Sequence, residues 1–363
     1  MIKSCKIIGA GSIGNHISNA ARVLNWEVDL CDIDRDALAR TQKSIYPSRY
    51  GKWDEKIKLY SLQDAPKSGH DLIIIGTPPD THLKLALEAV REKPKAVLVE
   101  KPLCTPDLRD LQELIDVSKH DGVRVFVGYD HVVGASLEHT INLFSGYSPL
   151  VTLDVEFREN WEGIFAAHPW LNGPQDSYLG FWQRGGGATG EHSHAINMWI
   201  TLANVAGCGR VASVSAALDY VNKGGVNYDR ICLLNLETES GLIGRVVQDV
   251  VTSPPKKWAR MQTASGFLEW YCSVEDGKDL VLSRFSEKEE KKWFNKTRPD
   301  DFIAELKHIR NILVSGAPSL IDVEFGAQTM LVIAAAHLSA SSGRKVEIDY
   351  SADYTNLALK VIN

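Results

Sequence analysis

Two short segments hold residues whose types could move a proton. Glu100-Lys101-Pro102 closes the apolar run KAVLV, and RGGGATGEHSHAINMW (184–199) carries Glu191, His194 and Asn197 at intervals of three. Taking a hydride from an alcohol requires a group that stabilises or accepts the hydroxyl proton, and a lysine or a histidine can do this. A helix beginning near Gly190 would project Glu191, His194 and Asn197 from one side. Glu191 would then raise the basicity of His194 and fix its tautomer. A metal held by Glu191, His192 and His194 is the rival. Residues two apart share no helix face, and no third histidine is close in sequence, so no metal is expected. The plain readings are a surface Lys-Pro turn and two structurally partnered histidines.

Those residues need a scaffold, and the N-terminal third supplies one. Gly9, Gly11 and Gly14 have the spacing G-x-G-x-x-G; with 28 glycines in 363 residues, roughly 0.16 such matches arise by chance, so the motif alone is weak. Its surroundings strengthen it. Cys5 to Ile8 is an apolar run, Ile13 to Leu24 has helical periodicity, and WEVDLCDID is a second β-rich run with Asp32 near its end. DLIIIGTPP, KAVLVEKP and VRVFVGY are further strands, alternating with THLKLALEAVRE and TPDLRDLQELIDVSKHDG as helices, the latter from Thr105-Pro106 to Gly122. Strand alternating with helix predicts a parallel sheet covered on both faces, a Rossmann dinucleotide-binding domain over residues 1–128. Helix-terminal N–H groups around Gly11, Ser12 and Ile13 would hold a pyrophosphate. Asp32 would accept from the adenosine ribose and repel a 2′-phosphate, favouring NAD over NADP, with an ordinary turn acid as the alternative. Lys101, beyond the carboxyl end of its strand, would lie near the nicotinamide, with Glu100 beside it.

After Gly128-Tyr129 the alternation stops. LVTLDVEF, RVASVSAALDY, DRICLLNLETESGLIGRVVQDVV, RMQTASGFLEWY and KDLVLSRF predict an antiparallel sheet, and two long helical segments follow. The fold class is therefore α/β: the Rossmann domain plus a C-terminal α+β domain, residues 129–363, with a large, mostly antiparallel open sheet. Such a sheet suits homo-oligomer formation. SEKEEKKWFNK (286–296) is expected to be a solvated turn. Between the domains, NWEGIFAAHPWLNGPQDSYLGFWQR concentrates Trp161, Trp170, Tyr178, Trp182 and His168 in a Gly/Pro-rich loop. Aromatic faces with polar tips suit a carbohydrate, and equally a subunit contact. The formal charge of −6 gives no electrostatic footprint for nucleic acid or an anionic membrane. Six scattered cysteines without a C-x-x-C pair read as reduced thiols, and no signal peptide or membrane span is evident, so a cytoplasmic location is expected.

Taken together, GAGSIG, the acid in LCDID, IIIGTPPDTH, VLVEKPL, VGYDHV and GGGATGEHSH resemble the Gfo/Idh/MocA family of sugar and cyclitol oxidoreductases. The resemblance implies NAD(P) as cofactor and hydride exchange at a carbon of a sugar, sugar phosphate or nucleotide sugar. It assigns Lys101 and His194 to proton transfer and substrate positioning, and places Thr77, Pro78 and His82 beside the cofactor. Many members have an aspartate four residues before the histidine, where this chain has Glu191 three before it, closer to a branch associated with bacterial surface sugars. Asn197 stands where a further acid is common. Asp130-His131 stands where an arginine often follows the Gly-Tyr pair. Substrate contacts are accordingly expected from Lys101, Tyr129, Asp130, Trp161, Trp170, Tyr178, His194 and Asn197. The alternatives are a keto or imine reductase using the same site and a non-catalytic NAD-binding sensor or scaffold, which the presence of both Lys101 and His194 opposes.

Overall fold

A computed structural model describes residues 2–144, 149–166, 168–275 and 277–362; Ala167 of the aromatic loop and the two terminal residues of the expected domains lie outside them. The N-terminal part contains β1 (Ser4–Ile8), α1 (Ser12–Val23), β2 (Glu27–Asp32), α2 (Arg35–Arg40), α3 (Tyr46–Tyr50) and β3 (Ile57–Ser61). It continues with β4 (Leu72–Ile75), α4 (His82–Arg91), β5 (Ala96–Val99), α5 (Leu111–Asp121) and β6 (Arg124–Val127). All six strands are parallel, in the order β3-β2-β1-β4-β5-β6. Every residue of β4 and β5 is buried, which is why both read as unbroken apolar runs. Strand order reverses between β1 and β4, and the crevice beyond their carboxyl ends is the natural ligand site.

One local expectation changes here. Helix α5 starts at Leu111, because Leu108 and Asp110 take positive φ angles of 55° and 63°; Thr105-Pro106 belongs to the preceding turn. Gly122, at φ 67°, ends the helix as expected. The segment between β2 and β4 carries two short helices and strand β3, none of which has strong periodicity in the sequence.

The second part adds α6 (Ala135–Phe144), β7 (Leu150–Arg158), α7 (Trp161–Ala166), α8 (Gly187–Glu191) and α9 (His194–Val205). Then come β8 (Val211–Lys223), β9 (Val226–Thr238), β10 (Ile243–Asp249), β11 (Lys256–Thr263), β12 (Gly266–Glu275), β13 (Lys278–Phe285) and β14 (Lys288–Asn295). Helices α10 (Arg298–Ser315) and α11 (Val323–Ser342) and the short strands β15 (Val346–Ile348) and β16 (Leu359–Val361) complete it. Ten strands form one sheet, β14-β13-β12-β11-β7-β10-β9-β8-β15-β16, antiparallel except for β7 against β10. The charged stretch expected as a turn is the edge strand β14, paired to β13 from Lys288 to Asn295. Its charges fit an edge, where flanking lysines discourage further strand addition. Among the described residues α11 is the one helix long and apolar enough to cross a membrane, and it is mostly buried within the fold.

The two sheets are tied together. The Arg124 guanidinium donates to both carboxylate oxygens of Asp322 at 2.9 and 2.7 Å, and the Val127 N–H donates to the Ile321 carbonyl at 2.8 Å. Near the C-terminus, the Tyr354 N–H and the Asn356 side chain donate to the Gln112 side chain and the Asp107 carbonyl.

Candidate active site

The glycine-rich turn after β1 is built for close approach. Gly9 has φ 112°, and a Cβ there would stand 2.6 Å from the Gly76 carbonyl oxygen of the neighbouring strand end. A Cβ at Gly14 would lie 1.9 Å from the Gly9 oxygen, so this position brings helix α1 onto β1. A Cβ at Gly11 would meet nothing within 4 Å. The open side of the turn, at the N-terminus of a 12-residue helix, is where a pyrophosphate fits. Asp32 braces the turn from behind: its carboxylate accepts from the Ala10 N–H at 2.7 Å and the Asp34 N–H at 2.8 Å. Each oxygen retains a second lone pair for a ribose hydroxyl.

A cavity of about 940 Å³ begins at this turn and runs to the second sheet. Gly11, Ser12, Ile13, Thr77, Pro78, Glu100 and Lys101 line it, as do Asp130, Trp170, Tyr178, Glu191 and His194. Gly9, Gly14 and Asp32 stand behind its wall. So does His82, fully buried between the carbonyl oxygens of Thr77 and Pro102 at 2.7 and 3.0 Å. It couples the two strand-end loops and presents nothing to the cavity. Three expected substrate contacts also fall elsewhere. Tyr129 is completely buried beneath the site, edge-on to the His194 ring at 5.5 Å between centroids. Asn197 is buried and donates to Thr329 Oγ1 at 3.1 Å, while Trp161 packs on Phe165 and Tyr228. Trp182 stacks on His337 at 4.3 Å. The aromatic loop contains α7 and three short helical turns, and its middle, with Trp170 and Tyr178, roofs the cavity.

The expected Glu191–His194 pairing is not formed. Helix α8 ends at Glu191 and α9 starts at His194, with His192 and Ser193 at the break. Gly187, at φ 76°, begins α8 so close to β9 that a Cβ would be 2.0 Å from the Asp229 carboxylate. The Gln248 side chain donates to the His192 carbonyl at the break. Glu191 therefore turns to the other domain. Lys101 Nζ donates to its carbonyl at 2.8 Å and to its carboxylate at 3.3 Å. Burial alone would raise the Glu191 carboxyl, but Lys101, His192 and His168 together outweigh it and hold Glu191 below the ordinary range. The acid nearest His194 is Asp130, whose Oδ1 lies 3.8 Å from His194 Nδ1.

Burial, reinforced by Lys101 and Lys257, holds His194 well below the usual histidine range, so at neutral pH it is an uncharged imidazole able to accept a proton. His192 is lowered to about 4, mainly by burial. Glu100 is raised to about 8 by burial and then by Asp130. Its carboxylate lies against Gly128, where a Cβ would come within 2.9 Å.

Several lining residues had no motif to reveal them. Arg49 of α3 donates to the Ser12 carbonyl at 3.0 Å and to Ser12 Oγ at 2.9 Å, placing a cation beside the glycine turn. Lys257 and Arg298 complete the basic side of the cavity, and His16, lowered to about 3 mainly by burial, lines it as a neutral ring. Only Arg298 had a nearby signal, the Thr297–Asp300 capping box that starts α10.

The parallel sheet, its reversal point and the open glycine turn define an NAD-binding oxidoreductase fold. Its nucleotide-binding part, residues 3–129, matches the Gfo/Idh/MocA family, described as an oxidoreductase family with an NAD-binding Rossmann fold. Solved structures share the fold of nearly the whole chain. The WlbA dehydrogenase of Bordetella pertussis, crystallised with NADH and UDP-GlcNAcA, is 20% identical with a TM-score of 0.71, covering 96% of this chain and 99% of its own. The aldose-aldose oxidoreductase of Caulobacter crescentus, complexed with glycerol, is 18% identical with a TM-score of 0.75, covering 96% and 100%. The UDP-N-acetylglucosamine 3-dehydrogenase GnnA of Acidithiobacillus ferrooxidans is 13% identical with a TM-score of 0.71, covering 94% and 99%. No curated protein sequence matches the chain.

Proposed function

We propose that this protein is an NAD-dependent dehydrogenase acting on a secondary hydroxyl of a sugar, sugar phosphate or nucleotide sugar, or reducing the corresponding keto group. One observation carries the reading: Lys101 from the nucleotide-binding sheet and His194 from the second domain line one cavity, which starts at the open glycine turn. Bound at that turn, NAD would supply the hydride acceptor. Ser12 and Ile13 would meet its phosphates, Asp32 its ribose, and Thr77 and Pro78 its nicotinamide half. Lys101, steered by Glu191, polarises the reacting oxygen. His194, kept neutral by its surroundings, takes the hydroxyl proton. Trp170 and Tyr178 offer ring faces to the C–H side of a sugar. The nucleotide-sugar dehydrogenases that share the fold support this substrate class.

The test is Lys101→Ala and His194→Ala, with NADH absorbance followed over glucose, glucose 6-phosphate and UDP-N-acetylglucosamine. Turnover is expected to fall by about 10²- to 10⁴-fold in each variant while NAD binding persists. Unchanged turnover with NAD still bound would overturn the assignment.

A further inference from the structure

Three polar atoms beside the site face the same small gap. Asp130 Oδ1, His131 Nδ1 and His194 Nδ1 are each sealed from solvent without a hydrogen-bond partner. His194 Nδ1 and Asp130 Oδ1 are 3.8 Å apart, and one side-chain N or O atom from each of the three residues lies within 4.8 Å of the others. Orphaned buried groups are destabilising one by one, so three that converge indicate a shared occupant. A divalent cation suits the ligand types but not the field. Lys101, Lys257 and Arg298 bear on His194, and Lys296 and Arg298 on Asp130. A water molecule, donor and acceptor at once, satisfies a carboxylate and two imidazoles without adding charge.

A second cavity of about 260 Å³ shares His131 and Asp301 in its wall with the first. Lys296 in that wall is 3.0 Å from the Asp301 carboxylate and 3.4 Å from that of Asp279. We propose that Asp130, His131 and a bridging water lead the proton accepted by His194 away from the substrate and out through the second cavity. This rests on reading His194 as the proton acceptor.

With the hydride accounted for by the cofactor, the O–H bond breaks and its electron pair becomes the second bond of the carbonyl. The proton goes to His194 Nε2. The Nδ1 proton of the same ring leaves through the bridging water to Asp130, then by His131 to solvent in the second cavity. One proton is released per alcohol oxidised, and His194 is again neutral with its proton on Nε2; transfer of that proton back to Nδ1 through solvent precedes the next turnover.

Asp130→Asn and His131→Phe in the full chain test the route, with UDP-N-acetylglucosamine as the alcohol. In weak buffer, turnover is expected to fall about 10- to 100-fold in both variants, with NAD affinity unchanged. Added imidazole, small enough for the second cavity, should restore at least about fivefold in His131→Phe and leave the parent protein unaffected. In cofactor-free protein labelled with ¹⁵N-histidine, Asp130→Asn should shift the ring signals of both His131 and His194. Absence of imidazole rescue, unshifted histidine signals, or a stoichiometric metal ion lost on Asp130→Asn would each overturn the route. If His194→Ala turns over normally, the proton-acceptor reading itself fails. If it is inactive while His131→Phe behaves as the parent, only the outlet is wrong.

Discussion

Replacing Gly11 by alanine separates the cofactor site from the stability of the fold. Its backbone, at φ −77° and ψ −161°, is extended, and an added methyl meets nothing within 4 Å in the free protein. The folded state should tolerate it, with about 0.4–1 kcal/mol of stabilisation from the stiffer unfolded chain. In the complex, the same methyl occupies the space through which the backbone approaches the pyrophosphate. A tenfold loss of affinity corresponds to about 1.4 kcal/mol. At NAD concentrations about 100 times the parent dissociation constant, linkage stabilises the parent by about 2.7 kcal/mol; at a tenfold weaker constant the gain is about 1.4 kcal/mol. The NAD-induced rise in melting temperature should therefore be roughly halved in Gly11→Ala, or abolished if the loss is larger, while the melting temperature without NAD is unchanged or slightly raised. Differential scanning fluorimetry with and without NAD reads both quantities. Gly14→Ala is the contrast: its methyl would sit 1.9 Å from a backbone oxygen, so it should lower the melting temperature even without cofactor. An NAD shift in Gly11→Ala equal to that of the parent would refute the placement of the phosphates on this turn.

Asp32→Asn should weaken NAD and narrow the preference against NADP, as measured by fluorescence titration of both; tighter NADP than NAD in the parent protein would remove the role given to Asp32. Trp170→Ala should raise KM for the sugar substrate by several fold with little change in kcat, because a stacking surface binds ground state and transition state alike. Buried Asp229 accepts from the Thr189 N–H at 2.8 Å, and burial raises its carboxyl from 3.8 to about 7. Between pH 4 and 7 the folded state therefore keeps a proton that the unfolded chain releases. Its contribution to stability is fully present below the unfolded value and is lost as pH rises through the folded one, by up to about 1.4 kcal/mol per unit. Urea titrations of the parent and Asp229→Asn should show a stability difference that moves in the variant's favour across that window; a constant difference would contradict it.

The nucleotide-binding half was the legible part of the chain. Strands covered on both faces, such as β4 and β5, read as unbroken apolar runs, and the glycines, Asp32 and Thr77-Pro78 keep fixed distances from strand ends. Residues 35–61 were opaque because short helices and a half-exposed strand leave little periodicity. Strand β14 was misread for a related reason: an edge with both faces largely wet looks like a solvated turn. The site was legible in its residues but not in its pairings. Lys101 and His194 line the expected cavity, whereas spacing by threes suggested a Glu191–His194 dyad that the break at His192-Ser193 prevents. Lys101 meeting Glu191, and Asp130 approaching His194, are contacts between distant segments that local spacing does not encode. Tyr129 of the Gly-Tyr pair, Trp161 with its ring face and Asn197 three residues after His194 all read as ligand contacts in the sequence; in the fold they are packing residues.

The clasp between Lys101 and Glu191 spans 90 residues and joins the two halves of the molecule. The turn around Gly11 and its brace at Asp32, by contrast, come from neighbouring segments near the start of the sequence. That clasp can form only once the two parts of the fold have come together.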